Sequence, residues 1–133
     1  MRAIPCAPIH NPEGVADSTR IGYNQAVETE HALYVSGQPG WDASADVAEG
    51  IEAQTRLAWD NVEAVLAEAG LELTDVAKVT GYLVDPDEHL EPFLEVWNDR
   101  LAEPRPASTI VGVESLALPS FLVELDVEVP LEG

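Results

Sequence analysis

Alternating apolar and polar residues mark a series of half-buried strands along the chain. In each strand every second residue is apolar, the period of a sheet with one face against a core. The predicted strands are Asn24–Glu28, Ala32–Gln38, Val76–Val84, Ala107–Ser115 and Phe121–Val129. Because the polar residues 29–31 separate the first two strands, we expect these to form a hairpin.

Two longer segments carry apolar residues at helical spacing instead. The first helix is predicted over about Ala48–Ala69, with Gly70 placed to end it. The second is predicted over about Glu88–Leu101, directly after the strand-breaking segment 85–87. Its inward-facing residues are predicted to be Leu90, Phe93, Leu94, Trp97 and Leu101.

The element order β-β-α-β-α-β-β predicts a single α+β domain over residues 1–133, with two helices packed on one face of a mixed sheet. Residues 1–22 are rich in Pro, Gly, Asn and Asp, so we expect an irregular segment there, with a short strand near Arg2–Ile4. No repeat, low-complexity tract or second domain is indicated.

The face of the sheet without helices needs either water or a partner. On this face the central strand carries the polar residues Lys78, Thr80 and Tyr82. The acids of the last strand lie beside them. Ile110 or Val111 adds apolar surface. A partly apolar exposed face favours self-association, and Lys78 is placed to offset one of the acids, unless it is simply a solvated base.

Charge excludes one class of partner. Twenty-five acidic residues face six basic ones, for a formal charge of −19. Nucleic-acid binding depends on neutralising phosphates with Lys and Arg, so none is expected. Adaptation to high salt and a generally acidic proteome both explain such acidity.

Other classes of function receive no support from the sequence. No apolar run approaches the ~20 residues of a membrane helix, and no signal peptide is recognisable, which favours a cytoplasmic protein. The three histidines and the single cysteine have no metal-ligand spacing. We therefore expect no metal, no cofactor and no internal disulfide.

Four short motifs carry a resemblance to a known family. They are Tyr23-Asn24-Gln25-Ala26-Val27, Val35-Ser36-Gly37-Gln38, Arg105-Pro106-Ala107-Ser108-Thr109 and Val123-Glu124-Leu125-Asp126-Val127. In this order and spacing the chain resembles the RidA/YjgF family, also known as endoribonuclease L-PSP. The resemblance implies a chorismate-mutase-like fold, a homotrimer whose sheets form a central barrel, and enamine/imine deaminase activity on a small molecule in a cleft between subunits.

The same resemblance assigns candidate site residues. Glu124 matches a glutamate that holds a catalytic water, and Tyr23 matches a tyrosine that lines the cleft. Ser36, Gly37 and Gln38 match one wall of the cleft. Trp41, just beyond that wall, is either a further cleft residue or a packing residue of a surface loop.

At three positions the chain departs from the family pattern. Ser108 stands where the deaminating members have the arginine that clamps the substrate carboxylate. Leu94 replaces an asparagine of the second helix and Ile110 replaces a cysteine. We count all three among the candidate substrate-binding residues.

Loss of the arginine changes the expected substrate. Guanidinium binds carboxylate through two parallel charge-assisted hydrogen bonds, whereas the Ser108 hydroxyl offers one uncharged donor. The sequence therefore predicts a hydrolase or deaminase for a small imine, enamine or related metabolite that lacks the usual carboxylate. A trimeric small-molecule or partner-binding protein without catalysis remains the alternative.

Overall fold

A computed structural model describes residues 9–132 as one mixed sheet with two helices on one face. The strands are β1 Ile9–His10, β2 Ala26–Glu28, β3 Ala32–Pro39, β4 Lys78–Val84, β5 Ala107–Val113 and β6 Val123–Pro130. The helices are α1 Ile51–Glu68 and α2 Pro86–Arg100, and short 3-10 helices cover Ser18–Ile21 and Leu73–Asp75. Within residues 9–132, no helix is both long and apolar enough to cross a membrane.

The strand order across the sheet is β1-β2-β3-β6-β4-β5. Helix α2 connects β4 to β5, which pair in parallel, and every other pairing is antiparallel. The last strand, β6, therefore lies in the middle of the sheet, with β3 on one side and β4 on the other. The α+β class and the single layer of helices are as the sequence predicted.

The core lies between the sheet and the helices. Val123, Leu125, Val127 and Val129 of β6 are buried there because they alternate with the polar residues of the same strand. Trp59 of α1 and Trp97 of α2 meet edge to face, with ring centroids 5.5 Å apart. Both helices thus bury aromatic rings against the face of the sheet opposite to Glu124.

Several predicted boundaries move. Helix α1 begins at Ile51, three residues later than predicted, because Gly50 has a φ of 88° that a helix does not allow. Gly70, with a φ of 76°, follows the end of α1 as predicted. In α2, Leu90 is 39% exposed and Val96 is buried instead, because Leu90 lies close to the N-terminal end of the helix.

The N-terminal segment is more ordered than the sequence indicated. Strand β1 pairs with β2, and the 3-10 helix Ser18–Ile21 is capped by the Asp17 carboxylate, which accepts a hydrogen bond from the Thr19 amide at 3.0 Å. The strand predicted near Arg2–Ile4 lies outside the described residues.

Candidate active site

A β-bulge in β3 creates the centre of the site. Val35 pairs with Val127, but Gln38 pairs with Leu125, so three steps along β3 match two along β6. A bulge of this kind reverses which side chains face the core beyond it. Gln38 therefore points into the core, and Gly37 faces the open side of the sheet, where Glu124 lies.

Glu124 lies directly over Gly37. A Cβ atom added to Gly37 would be 2.3 Å from Oε2 of Glu124 and 2.7 Å from its Cδ, so only a glycine leaves room for the carboxylate. Burial raises the pKa of Glu124, and the negative charge of Asp126 raises it further. The geometry thus provides a half-buried carboxylate that holds a proton more tightly than usual.

Tyr23 completes this side of the site. The Ser18 hydroxyl donates to the Tyr23 carbonyl at 2.8 Å, and the Tyr23 amide donates to the Ser18 carbonyl, so the 3-10 helix fixes the backbone at Tyr23. The pKa of Tyr23 is raised by burial and then by the charge of Glu124. The phenol therefore lies within electrostatic range of Glu124 and stays a proton donor at neutral pH.

Two further groups adjoin Glu124, and the sequence-based reading assigned neither to the site. Tyr82 of β4 pairs across the strands with Glu124, and its hydroxyl donates to the Asp126 carboxylate at 3.3 Å. Alternating acids on a strand usually indicate a solvated face, yet burial raises the pKa of Asp126. The strand alternation that puts Asp126 on the face of Glu124 was the available signal.

Lys78 contacts a hydroxyl group rather than a carboxylate of its own chain. Its Nζ donates to the Thr109 hydroxyl at 2.8 Å, and no carboxylate of the described residues lies within 4 Å of it. Its charge nevertheless lowers the pKa of Asp126. Lys78 therefore offsets an acid of β6 at a distance.

The three residues of the predicted wall have different surroundings. Gly37 faces Glu124, as described above. The Ser36 hydroxyl, only partly buried, donates to the Asn24 carbonyl at 2.7 Å. The Gln38 amide is buried and donates to Oε1 of Gln25 at 2.6 Å and to the Ser36 carbonyl at 3.0 Å. The assignment of Gln38 to substrate binding is therefore corrected, because its side chain fixes the bulge from the core side.

Replacing Gln38 by Met, which has a similar shape and no donor, should lower stability. The buried Oε1 of Gln25 loses its partner, and such a loss costs about 1–3 kcal/mol. The free energy of unfolding in urea measures this cost. A rise in KM with unchanged stability would instead return Gln38 to the binding site.

Trp41 packs against the loop between β5 and β6. Its ring meets Phe121 edge to face, with centroids 5.2 Å apart, and the Asn61 amide donates to its carbonyl at 2.8 Å. Trp41 lies two residues beyond Pro39, the partner of Glu124 in the sheet. These contacts are those of a packing residue of a surface loop. Trp41 is nevertheless close in sequence to the residue that pairs with Glu124.

Ser108, Ile110 and Leu94, a second group of candidate residues, lie on the helix side of the sheet, away from Glu124. Ser108 pairs with Val79 and Ile110 with Gly81, residues whose side faces the helices, and both lie exposed on the outermost strand. Leu94 of α2 packs against the core on this same side. Glu124 lies on the opposite face, and β4 separates β6 from β5, a spacing of about 10 Å. One protomer therefore does not present both groups to one small ligand.

Comparisons with known proteins point to one family. Residues 15–130 match the family described as Endoribonuclease L-PSP. The RutC family protein YjgH of Escherichia coli is 35% identical over 109 residues, which cover 81% of this chain and 83% of YjgH. A RutC family protein of Pyrococcus abyssi is 36% identical over 107 residues, or 78% of this chain and 82% of its own length.

Solved structures show the same fold. The YjgH structure superposes with a TM-score of 0.88 at 32% identity and covers 96% of this chain and 98% of its own. RidA from an Antarctic Psychrobacter superposes with a TM-score of 0.86 at 29% identity, over 93% of this chain and 99% of RidA.

Proposed function

This chain belongs to the RidA/YjgF (endoribonuclease L-PSP) family, and from that premise we propose that it hydrolyses a small imine or enamine that lacks a carboxylate next to the reacting carbon. The observation that carries the proposal is the half-buried Glu124 carboxylate held over Gly37 beside Tyr23. A carboxylate of raised pKa next to a neutral phenol is suited to moving protons near neutral pH.

The proposed reaction needs only water as its second reactant. Glu124 takes a proton from a water molecule as the oxygen attacks the imine carbon. The nitrogen receives this proton, from Glu124 or Tyr23, to give a carbinolamine. The carbinolamine hydroxyl then loses its proton, which reaches the nitrogen through the same groups as the carbon–nitrogen bond breaks to give a carbonyl compound and ammonia. General acid–base assistance of this kind typically contributes about 10²–10⁴-fold.

Self-association completes the proposed site. The group around Glu124 and the group around Ser108 lie on opposite faces of the sheet, so a ligand that touches both needs two protomers. The open face carries Tyr34, which is 50% exposed, and Val111, which is 36% exposed. We propose the homotrimer implied by the family, with each cleft lined by Glu124 and Tyr23 of one subunit and by Ser108 and Ile110 of the next.

The test is a comparison of two imines generated in situ. A flavin-dependent amine oxidase supplies an imine without a carboxylate, and an amino-acid oxidase supplies 2-iminopropionate. We expect the protein to accelerate ammonia release from the first more than from the second. Rapid hydrolysis of 2-iminopropionate would contradict our interpretation of Ser108. If the protein accelerated the hydrolysis of neither imine, the proposed enzymatic activity would be wrong.

Introducing the family's arginine should shift the specificity. Because Ser108 is exposed on the edge strand, Ser108→Arg has room for the longer side chain. One charged hydrogen bond to a carboxylate contributes roughly 1.5–3 kcal/mol, so kcat/KM for 2-iminopropionate should rise about 10–100-fold. Ser108→Lys is the matched control, since an ammonium cannot form two parallel hydrogen bonds and should give a smaller gain. An unchanged kcat/KM in Ser108→Arg would place residue 108 outside the site.

A non-catalytic binding protein is the second candidate. The observation that favours it is the uncharged group of Ser108, Ile110 and Leu94, which offers packing but no strong electrostatic contact. A binder would retain ligand affinity in Glu124→Ala and have no turnover to lose. RNA cleavage is disfavoured for either candidate, because a chain of charge −19 repels phosphates.

A further inference from the structure

Glu124 and Asp126 form a carboxylate pair on the open face of β6. They are two residues apart on one strand, so their side chains leave the same face about 7 Å from each other. Both are only partly exposed. Two carboxylates this close do not ionise independently, and the one with the better partners ionises first.

The partners are divided unequally between the two. The Tyr82 hydroxyl donates to Asp126 at 3.3 Å, Thr80 lies opposite Asp126 on β4 and also favours its charged form, and Lys78 adds a positive charge. Glu124 has no hydrogen-bond donor among the side chains of the described residues and faces Gly37. Asp126 therefore ionises first, and its negative charge then disfavours ionisation of Glu124.

We propose that Asp126 and Tyr82 are positioning residues that set how strongly the Glu124 carboxylate binds a proton. The inference rests on the proposed role of Glu124 as the base. An anionic Asp126, kept ionised by Tyr82, makes Glu124 the stronger base of the pair. When the surroundings of two carboxyl groups separate their pKa values, the group with the higher pKa can exchange a proton while the other stays ionised.

The directions of the pKa shifts agree with this division. Burial and then the Asp126 charge raise the pKa of Glu124. For Asp126, burial and the Glu128 charge raise the pKa, while the side chains of Tyr82 and Thr80 and the positive charge of Lys78 lower it.

The remaining groups around Glu124 are few. From the segment before β2, Tyr23 faces it as a neutral phenol. On β3, the residue against it is Gly37, which carries no charge. On β4, Tyr82 is its cross-strand neighbour. Asp126 is therefore the nearest charge that acts on the Glu124 carboxylate among the described residues.

Asp126→Asn removes the charge and keeps the shape. A unit charge about 7 Å away, in surroundings between protein and water, shifts a carboxyl pKa by about 0.5–1.5 units. The acid limb of the pH profile of kcat/KM should therefore move to lower pH by that amount. Glu128→Gln is the matched control, since it removes the same charge from the same face, two residues farther from Glu124.

Carboxyl carbon NMR of labelled glutamate and aspartate gives a readout that needs no turnover. Glu124 should titrate lower in Asp126→Asn and unchanged in Glu128→Gln, and Tyr82→Phe should raise the pKa of Asp126. An unchanged Glu124 titration in Asp126→Asn, or equal shifts in both variants, would overturn the inference. A titration as expected in a protein without imine hydrolysis would support the inference and overturn the proposed function alone.

Discussion

Glu124→Gln should reduce hydrolysis of the amine-derived imine by about 10²–10⁴-fold while the fold is retained. The amide has nearly the shape of the carboxylate, so it still fits over Gly37, but it cannot accept a proton from water. Single-turnover or steady-state assays of ammonia release measure the loss. Activity near that of the wild type would remove Glu124 from the chemistry.

The same variant should be more stable than the wild type at neutral pH. The pKa of Glu124 is raised above 4.5 in the folded protein, so the folded state holds this proton more tightly than the unfolded chain does. The stabilisation is present below pH 4.5 and is lost as pH rises through the folded pKa. At pH 7 the ionised Glu124 carboxylate destabilises the folded state, because it is partly buried. Glutamine carries no charge, so Tm should rise by about 1–4 °C.

This pair of effects separates a catalytic role from a structural one. A damaged fold would lower both turnover and Tm, whereas a base held in an unfavourable environment trades stability for activity. Glu128→Gln, which changes an exposed acid of the same strand, should alter neither quantity appreciably.

The hydrophobic pattern was sufficient to predict the layers of the fold. The alternation in β4 and β6 is strict, because each strand has one face against the helices and one without. The helical faces were less well specified. Leu90 fits the apolar spacing of α2 but lies close to its N-terminal end, and its side chain is 39% exposed.

The site was harder to predict because it depends on a bulge. Continuing the alternation of Leu33 and Val35 along β3 would put Gly37 inward and Gln38 outward. In the observed register both side chains point the opposite way. The sequence Ser36-Gly37-Gln38 contains no signal for the extra residue of the bulge. Family resemblance identified these positions without indicating which side chain is buried.

The local sequence pattern also did not predict that a partly buried Asp126 lies beside Glu124. Alternating acids on a strand usually indicate a solvated face, and that reading holds for the exposed Glu128. Asp126 differs because Thr80 lies opposite it on β4 and the Tyr82 hydroxyl donates to it, in a register fixed only when β6 inserts between β3 and β4. Such long-range pairing is not encoded in any local pattern.

Gly37→Ala should nearly abolish activity with a modest effect on stability. The backbone of Gly37 does not need the left-handed conformation, so alanine causes no strain there. Its Cβ would be 2.3 Å from Oε2 of Glu124, which is the far end of a flexible side chain. The carboxylate should therefore swing away while the sheet persists, and turnover should fall about 100-fold or more, as for loss of the base itself.

Gly14→Ala is the matched control for this substitution. Position 14 is exposed, and no atom lies within 4 Å of an added Cβ, so the same change should affect neither activity nor Tm. In Gly37→Ala the displaced Glu124 should also lose its burial, and its carboxyl carbon should then titrate closer to the ordinary value. Full activity in Gly37→Ala would mean that the working position of Glu124 is not over Gly37. Loss of activity together with an unchanged Glu124 titration would mean that residue 37 acts on the substrate directly.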